Sequence, residues 1–170
     1  MGEITVEKSA ASALDDIYAI YPLAFPEEEL RPLVRALFPL DAVLSFSAIR
    51  GGETIGHGLF SISVVDGGEG RGALLGPLAV HPDHQQSGVG RAIIEAGCAR
   101  LAEMSVGQVF VLGDPNYYGR FGFAPERGVE TPFPIPDEWR EAWASKRLTG
   151  PHLSGVLRPP EPWMRPELWA

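Results

Sequence analysis

The run Gln85-Gln86-Ser87-Gly88-Val89-Gly90-Arg91 concentrates more chemical information than any other stretch of this chain. It follows a short apolar segment, Leu78-Ala79-Val80, and leads into residues with helical spacing. Two glycines expose the main chain where a helix begins, and uncommitted N–H groups at a helix start attract phosphate oxygens. The spacing therefore predicts a cradle for a pyrophosphate. Three nucleotide-type patterns compete for it. The Gly-x-x-x-x-Gly-Lys-Ser/Thr loop is absent. The Gly-x-Gly-x-x-Gly fingerprint fails because Ile93 stands where its last glycine belongs. Gln-x-x-Gly-x-Gly is matched by Gln85, Gly88 and Gly90.

Bulk composition narrows the partners. The 170 residues suit one domain and suffice for a core without covalent staples. Hydrophobic residues make up 45% and charged residues 21%, as in ordinary soluble globular proteins. The formal net charge of −8 argues against a general nucleic-acid binder, which needs a basic footprint, and favours cationic or neutral partners. Cys98 is the single cysteine, so no intrachain disulfide forms, and its place in an apolar helical pattern reads as a core filler. The residues from Met1 to Ser9 do not form a signal peptide, and no apolar run reaches the ~18 residues of a membrane span. A cytoplasmic protein with no membrane partner is the expectation.

The cradle has to be held by neighbouring elements. Ile4-Thr5-Val6 reads as an opening strand, and Ala10 to Phe25 as a helix ended or interrupted by Pro22 and Pro26. Glu27 to Phe38 reads as a second helix with Pro32 in its first turn. Val43 to Ile49 and Thr54 to Val65 form strands joined by a hairpin turn at Arg50-Gly51-Gly52-Glu53. Asp66 to Gly72 is a glycine-rich link, and Ala73 to His81 is the next strand, where Gly76-Pro77 predicts a bulge or a break in pairing. A long helix starts at Ser87 or Gly88 and closes at Ser105-Val106-Gly107. Gln108 to Leu112 is a buried strand, and Asn116 to Phe121 a very short helix. Residues 126–170 form a Pro- and Trp-rich segment packed on a single domain of residues 1–170. It carries a helical stretch at Asp137 to Lys146 and a strand at Leu153 to Leu157. Trp139, Trp143, Trp163 and Trp169 read as anchors for it.

With these residues in order, the chain resembles the GNAT superfamily of acetyl-CoA-dependent N-acetyltransferases. The resemblance rests on the strand, His81-Pro82-Asp83-His84, the Gln85/Gly88/Gly90 pattern, the long helix and the next strand, then Tyr118 five residues before the Phe of Gly122-Phe123. The string Leu112-Gly113-Asp114-Pro115-Asn116-Tyr117-Tyr118-Gly119-Arg120-Phe121-Gly122-Phe123 is similar to one bacterial branch of small GNAT proteins. Residues 1 to about 125 follow the family order. The resemblance implies an α/β (α+β) fold with a mixed, mostly antiparallel sheet splayed at its centre and flanked by helices. It implies acetyl-CoA as co-substrate and no metal. Main-chain groups of Leu78, Ala79 and Val80 would hold the pantetheine arm. Gln85 and the amides of Gln86, Ser87, Gly88, Val89, Gly90 and Arg91 would hold the pyrophosphate. Asn116 would face the arm or cap the short helix, beside Tyr117.

The chemistry so implied is transfer of an acetyl group to a primary amine by direct attack in a ternary complex. A lysine-like amine, with pKa near ~10.4, must lose a proton before it attacks, and the departing thiolate needs one. Tyr118 stands at the family's general-acid position, and a neutral phenol can donate to that sulfur. Many relatives carry an acid on the strand before the cradle, whereas Leu74-Leu75-Gly76-Pro77-Leu78-Ala79-Val80 has none. The base is left among Glu28, Glu29, His57, His81 and water. The acceptor is a small-molecule or peptide amine, and the chain a monomer or homodimer. The alternative is a CoA- or acyl-CoA-binding sensor or partner protein with little catalysis.

Overall fold

A computed structural model describes residues 2–170. In chain order its strands and helices are β1 (Thr5–Lys8), α1 (Leu14–Ala24), α2 (Arg31–Leu37), β2 (Val43–Arg50), β3 (Glu53–Asp66), β4 (Arg71–Val80), α3 (Val89–Glu103), β5 (Gln108–Leu112), α4 (Pro115–Tyr118), β6 (Ala124–Pro125), β7 (Val129–Glu130), β8 (Trp143–Arg147) and β9 (Gly155–Arg158). The chain divides into two compact units. One comprises residues up to Phe60 with Gly76–Gly97, the other Ser61–Leu75 with Cys98–Ala170. β3, β4 and α3 each contribute residues to both.

In the first unit β1 runs antiparallel to β2, with Thr5 opposite Ile49 and Lys8 opposite Phe46. β2 neighbours β3, and β3 neighbours β4. The turn between β2 and β3 is Gly51-Gly52, both left-handed, as a two-residue hairpin requires. Ile17, Ile20 and Tyr21 of α1, Val34 and Leu37 of α2, Ile55, Leu59 and Phe60 of β3, and Val89, Ile93 and Ile94 of α3 are all buried. Alternation along β3 sets its two faces. His57 meets Tyr21 of α1, whereas the glycines on either side of it lie against Val89 and Ile93 of α3. Burying apolar side chains on both faces contributes roughly 1.5–3 kcal/mol per large side chain, and this packing fixes where α3, and hence its N-terminus, begins.

In the second unit β4 runs parallel to β5 over only Gly72↔Gln108, Ala73↔Val109 and Leu74↔Phe110. The pairing stops just before Gly76-Pro77, whose peptide bond is cis. β5 pairs antiparallel with β8 from Gln108↔Arg147 to Leu112↔Trp143, and β8 pairs with β6. β9 pairs antiparallel with the end of β3 and parallel with β7. The core joins Val65, Leu74, Phe110, Val129, Trp143, Leu153, Leu157 and Trp169. Trp143 stacks on Phe110 with centroids 5.6 Å apart, and Trp169 meets Trp143 edge-on at 5.8 Å. Trp139 stays 36% exposed and takes no part. Glu126 ties the segment together. Its Oε1 accepts from Gln108 Nε2 (2.9 Å) and Ser145 Oγ (2.5 Å), and its Oε2 from the Gly128 and Val129 amides (2.7 Å each).

Several boundaries differ from expectation. The helix expected over Ala10 to Phe25 is a 3-10 turn at Ala11–Ala13 followed by α1, which contains Pro22. Pro22 lies in the last turn on an exposed face, so it forfeits only one helical hydrogen bond, and Phe25 N still donates to Tyr21 O. The helix expected over Glu27 to Phe38 is α2, shortened because Glu29 binds Arg31 and Pro32 sits at the helix start. The residue past the end of α3 in left-handed conformation is Ser105 (φ 62°) rather than Gly107. The helix expected over Asp137 to Lys146 is a 3-10 turn at Asp137–Ala142 and then β8. The strand expected over Leu153 to Leu157 is β9, displaced toward the C-terminus.

Candidate functional site

β4 delivers the chain to the glycine pair. Its last residues include Leu78, Ala79 and Val80, and register with β5 has already ended at Leu74. His81 N donates to Ile55 O at 2.8 Å, and His81 Nδ1 accepts from Asp83 N at 3.1 Å, capping a 3-10 turn at Pro82–His84. Gln85 Nε2 reaches back to Val80 O at 3.2 Å, so the first residue of the motif fastens the loop to its strand. Ser87 Oγ donates to His84 O at 2.5 Å.

The loop then takes two left-handed steps, Gln86 at φ 61° and Gly88 at φ 88°. For a residue with a Cβ that conformation is strained by roughly 1 kcal/mol or more and persists only where neighbours hold it. A Cβ placed at Gly88 would meet nothing within 4 Å, so glycine serves the backbone angle there and leaves the space before it open. The first hydrogen bond of α3 is Ala92 N to Gly88 O at 3.0 Å. Among the described residues, the N–H groups of Gln86, Ser87, Gly88, Val89 and Gly90 find no acceptor in the protein. Consecutive free amides at a helix start, with alternating handedness before it, form an anion-binding concavity. Arg91 on the first turn of α3 adds a cation, with Nη1 3.7 Å from Glu95 Oε1.

Asn116, Tyr117 and Tyr118 belong to the second unit, so the residues assigned from sequence form two groups, one in each unit. α4 is a single turn started by Asp114-Pro115. The Asp114 carboxylate accepts from Asn116 N at 2.9 Å. Asp114, not Asn116, is therefore the cap, and Asn116 is exposed. An Asp-Pro pair ahead of a helix was the signal for this. The Tyr118 ring packs edge-on against Tyr117 (5.0 Å) and against Phe123 (5.7 Å). A Cβ on Gly113 would stand 2.5 Å from Tyr118 Cε2, so the glycine makes room for the ring. The Tyr118 hydroxyl has no hydrogen-bond partner among the described residues, and it is not sealed from solvent. Burial, and secondarily Tyr117, raises its pKa above the usual phenol value, which keeps it protonated. Burial also raises Tyr117, against the opposing charge of Arg120, whose guanidinium lies 5.1 Å from the Tyr117 ring centre.

The base candidates separate by their hydrogen bonds. His57 is fully buried, and burial lowers its pKa to about 3. Tyr21 Oη lies 2.7 Å from its Nδ1 and Ser45 Oγ 2.7 Å from its Nε2. Buried Tyr21 has no other acceptor, so its phenol donates to Nδ1, and Nε2–H donates to Ser45. Donation continues from Ser45 to Ser9, 2.8 Å away. Both nitrogens are thus committed. Glu29 is held to about 2 by its hydrogen bonds with Arg31. The His81 lone pair is spent on Asp83 N. Glu28 is exposed, and its carboxylate has no side-chain partner among the described residues.

Two further features were not singled out from sequence. Arg50 Nη1 donates to His84 Nδ1 at 3.0 Å. Within the second unit a cavity of about 520 Å³ is lined by residues such as Glu130, Phe133, Ile135, Arg140 and Trp143, and by none of the assigned site residues. Among the described residues no group of three or more His, Cys, Asp or Glu side chains is placed to hold a metal ion. No described helix is long and apolar enough to cross a membrane.

The acetyltransferase (GNAT) family model matches residues 14–123. The chain is 35% identical over 166 residues to the uncharacterized N-acetyltransferase YjhQ of Escherichia coli (strain K12), covering 92% of this chain and 90% of that one. Its fold is similar to the crystal structure of the GNAT family N-acetyltransferase YhbS from Escherichia coli in complex with CoA, with TM-score 0.85, 23% identity and coverage of 97% and 94%. It is also similar to that of a GNAT family acetyltransferase from Brucella melitensis in complex with acetyl-CoA, with TM-score 0.74, 24% identity and coverage of 93% and 96%.

Proposed function

This chain belongs to the acetyltransferase (GNAT) family and is an acyltransferase, and we propose that it moves an acetyl group from acetyl-CoA to a primary amine of a small molecule or peptide. The observation that carries the donor assignment is the run of free amides from Gln86 to Gly90. Five donors on one short loop suit a group with several anionic oxygens, and a diphosphate supplies them. Two similar folds were crystallised with CoA or acetyl-CoA, which supports the same donor here.

In this reading Gln85 keeps the loop on its strand, the amides from Gln86 to Gly90 take the diphosphate, and Arg91 contributes charge. Main-chain groups of Leu78, Ala79 and Val80 hold the pantetheine arm. The amine nitrogen attacks the thioester carbonyl carbon, forming the C–N bond as the C–S bond breaks. Tyr118 gives its phenolic proton to the departing sulfur. Its raised pKa suits it to that role, since the group must be protonated when the sulfur leaves. The amine proton goes to Glu28, the one of the four candidates with an uncommitted acceptor, or to water.

Calorimetry with acetyl-CoA tests the donor, and thiol release with a panel of primary amines tests the reaction. Saturable heat with acetyl-CoA and amine-dependent release of free thiol are expected. No heat from well-folded protein would remove the donor assignment. Heat without amine-dependent thiol release would remove the transfer step and leave a binding protein.

A further inference from the structure

We propose that Arg50 is a positioning residue for the anion cradle, acting through His84; the proposal rests on the cradle reading above. Arg50 is the last residue of β2, separated from the cradle by the whole of β3 and β4. Its Nε donates to Gly2 O at 3.1 Å, and its Nη1 lies 3.0 Å from His84 Nδ1 in a part-buried bond. A guanidinium only donates, so His84 Nδ1 accepts and carries no proton. The imidazole is then the neutral tautomer with its hydrogen on Nε2, and it brings no charge to the cradle.

His84 is the residue from which the left-handed loop departs. Its N–H donates to His81 O at 2.8 Å, its carbonyl accepts from Ser87 Oγ at 2.5 Å, and its ring meets the His81 ring edge-on at 5.7 Å. Arg50 supplies the ring's hydrogen-bond anchor. Immediately downstream stands Gln86, a residue with a Cβ at φ 61° that needs fixed neighbours on both sides to hold its conformation. α3 fixes the downstream side, and His84 with Gln85 fixes the upstream side. Arg50 therefore holds the free amides in their ligand-ready arrangement from a different element of the sheet.

A second role is open to the same residue, since its positive charge could act directly on phosphate. The two roles part at His84, which is uncharged. Acetyl-CoA binding is measured by calorimetry for the intact chain and for Arg50→Met, His84→Leu, His84→Asn and the Arg50→Met/His84→Leu pair. Asn offers an amide oxygen near the place of Nδ1. Losing one charge-assisted hydrogen bond corresponds to a loss of about tenfold in affinity for Arg50→Met and for His84→Leu alike. Because both act through one bond, the pair loses about tenfold as well, not a hundredfold, and His84→Asn stays within about twofold. Amide hydrogen exchange without ligand is measured in parallel. Exchange at Gln86 to Gly90 speeds up in Arg50→Met and His84→Leu and stays near wild type in His84→Asn.

Wild-type affinity and wild-type exchange in His84→Leu, with weak binding only in Arg50→Met, would overturn the proposal in favour of direct charge. Unchanged exchange in both single variants would overturn it whatever their affinities. If the unaltered chain gives no heat with acetyl-CoA, the cradle reading fails on its own, and the ligand-free exchange still decides whether Arg50 holds the loop.

Discussion

Replacing Tyr118 by phenylalanine removes one oxygen and leaves the ring on Tyr117, Phe123 and Gly113. If the phenol protonates the leaving sulfur, Tyr118→Phe lowers kcat by roughly 10²- to 10⁴-fold, the usual range for a lost general acid. Its affinity for acetyl-CoA by calorimetry should stay within about twofold, because hydrogen bonds made only in the transition state do not contribute to ground-state binding. Equal kcat in the variant would strip Tyr118 of the role. The site was legible in sequence where the chemistry is local. Gly88 takes a left-handed step and Gln85 fastens the loop to its strand, so the free amides follow from residues close together in sequence. It was illegible where partners come from far along the chain. Arg50 and His84 are 34 residues apart. His57 alternates correctly for a half-buried strand position, yet nothing near it in sequence announces that Tyr21 and Ser45 occupy both its nitrogens.

Elements read well where one period dominates. α3 has its apolar stripe, β2 and β3 flank an unmistakable glycine turn, and the break in β4 pairing was foretold by Gly76-Pro77. β8 was missed because Trp139, Ala142 and Trp143 fall at helical spacing, while what makes the segment a strand is its long-range register with β5. The two-residue strands β6 and β7 carry no period at all. They are held by Glu126, whose two oxygens accept four hydrogen bonds joining β5, β8 and the β6–β7 turn. Glu126→Gln turns one acceptor into a donor facing donors. It should lower stability by about 2–3 kcal/mol, read from chemical denaturation at constant slope. A change under about 0.5 kcal/mol would show that the carboxylate organises nothing.

At the scale of the whole molecule, buried His57 sets an acid limit. Its pKa falls from 6.5 to about 3 on folding, through loss of solvent. The unfolded chain therefore binds the extra proton first as pH drops. The contribution is fully present above about pH 6.5 and is lost as pH falls from there toward 3, at up to about 1.4 kcal/mol per pH unit. Between pH 7 and pH 5 the unfolding free energy should drop by about 2 kcal/mol from this residue. His57→Gln, which keeps one donor and one acceptor, should flatten that part of the curve. Matching pH profiles for the two proteins would show that His57 is not responsible.

The chain passes between its two compact units after Phe60, after Leu75 and after Gly97. Neither unit is therefore one uninterrupted stretch of translated message. A nascent polypeptide halted at Leu75 has already committed fifteen residues, Ser61–Leu75, to a body most of whose remainder is not yet synthesised. Anyone building chimeras from this protein and a relative would need matched junctions at all three passages to transplant either body whole, and a single splice point would leave both hybrid.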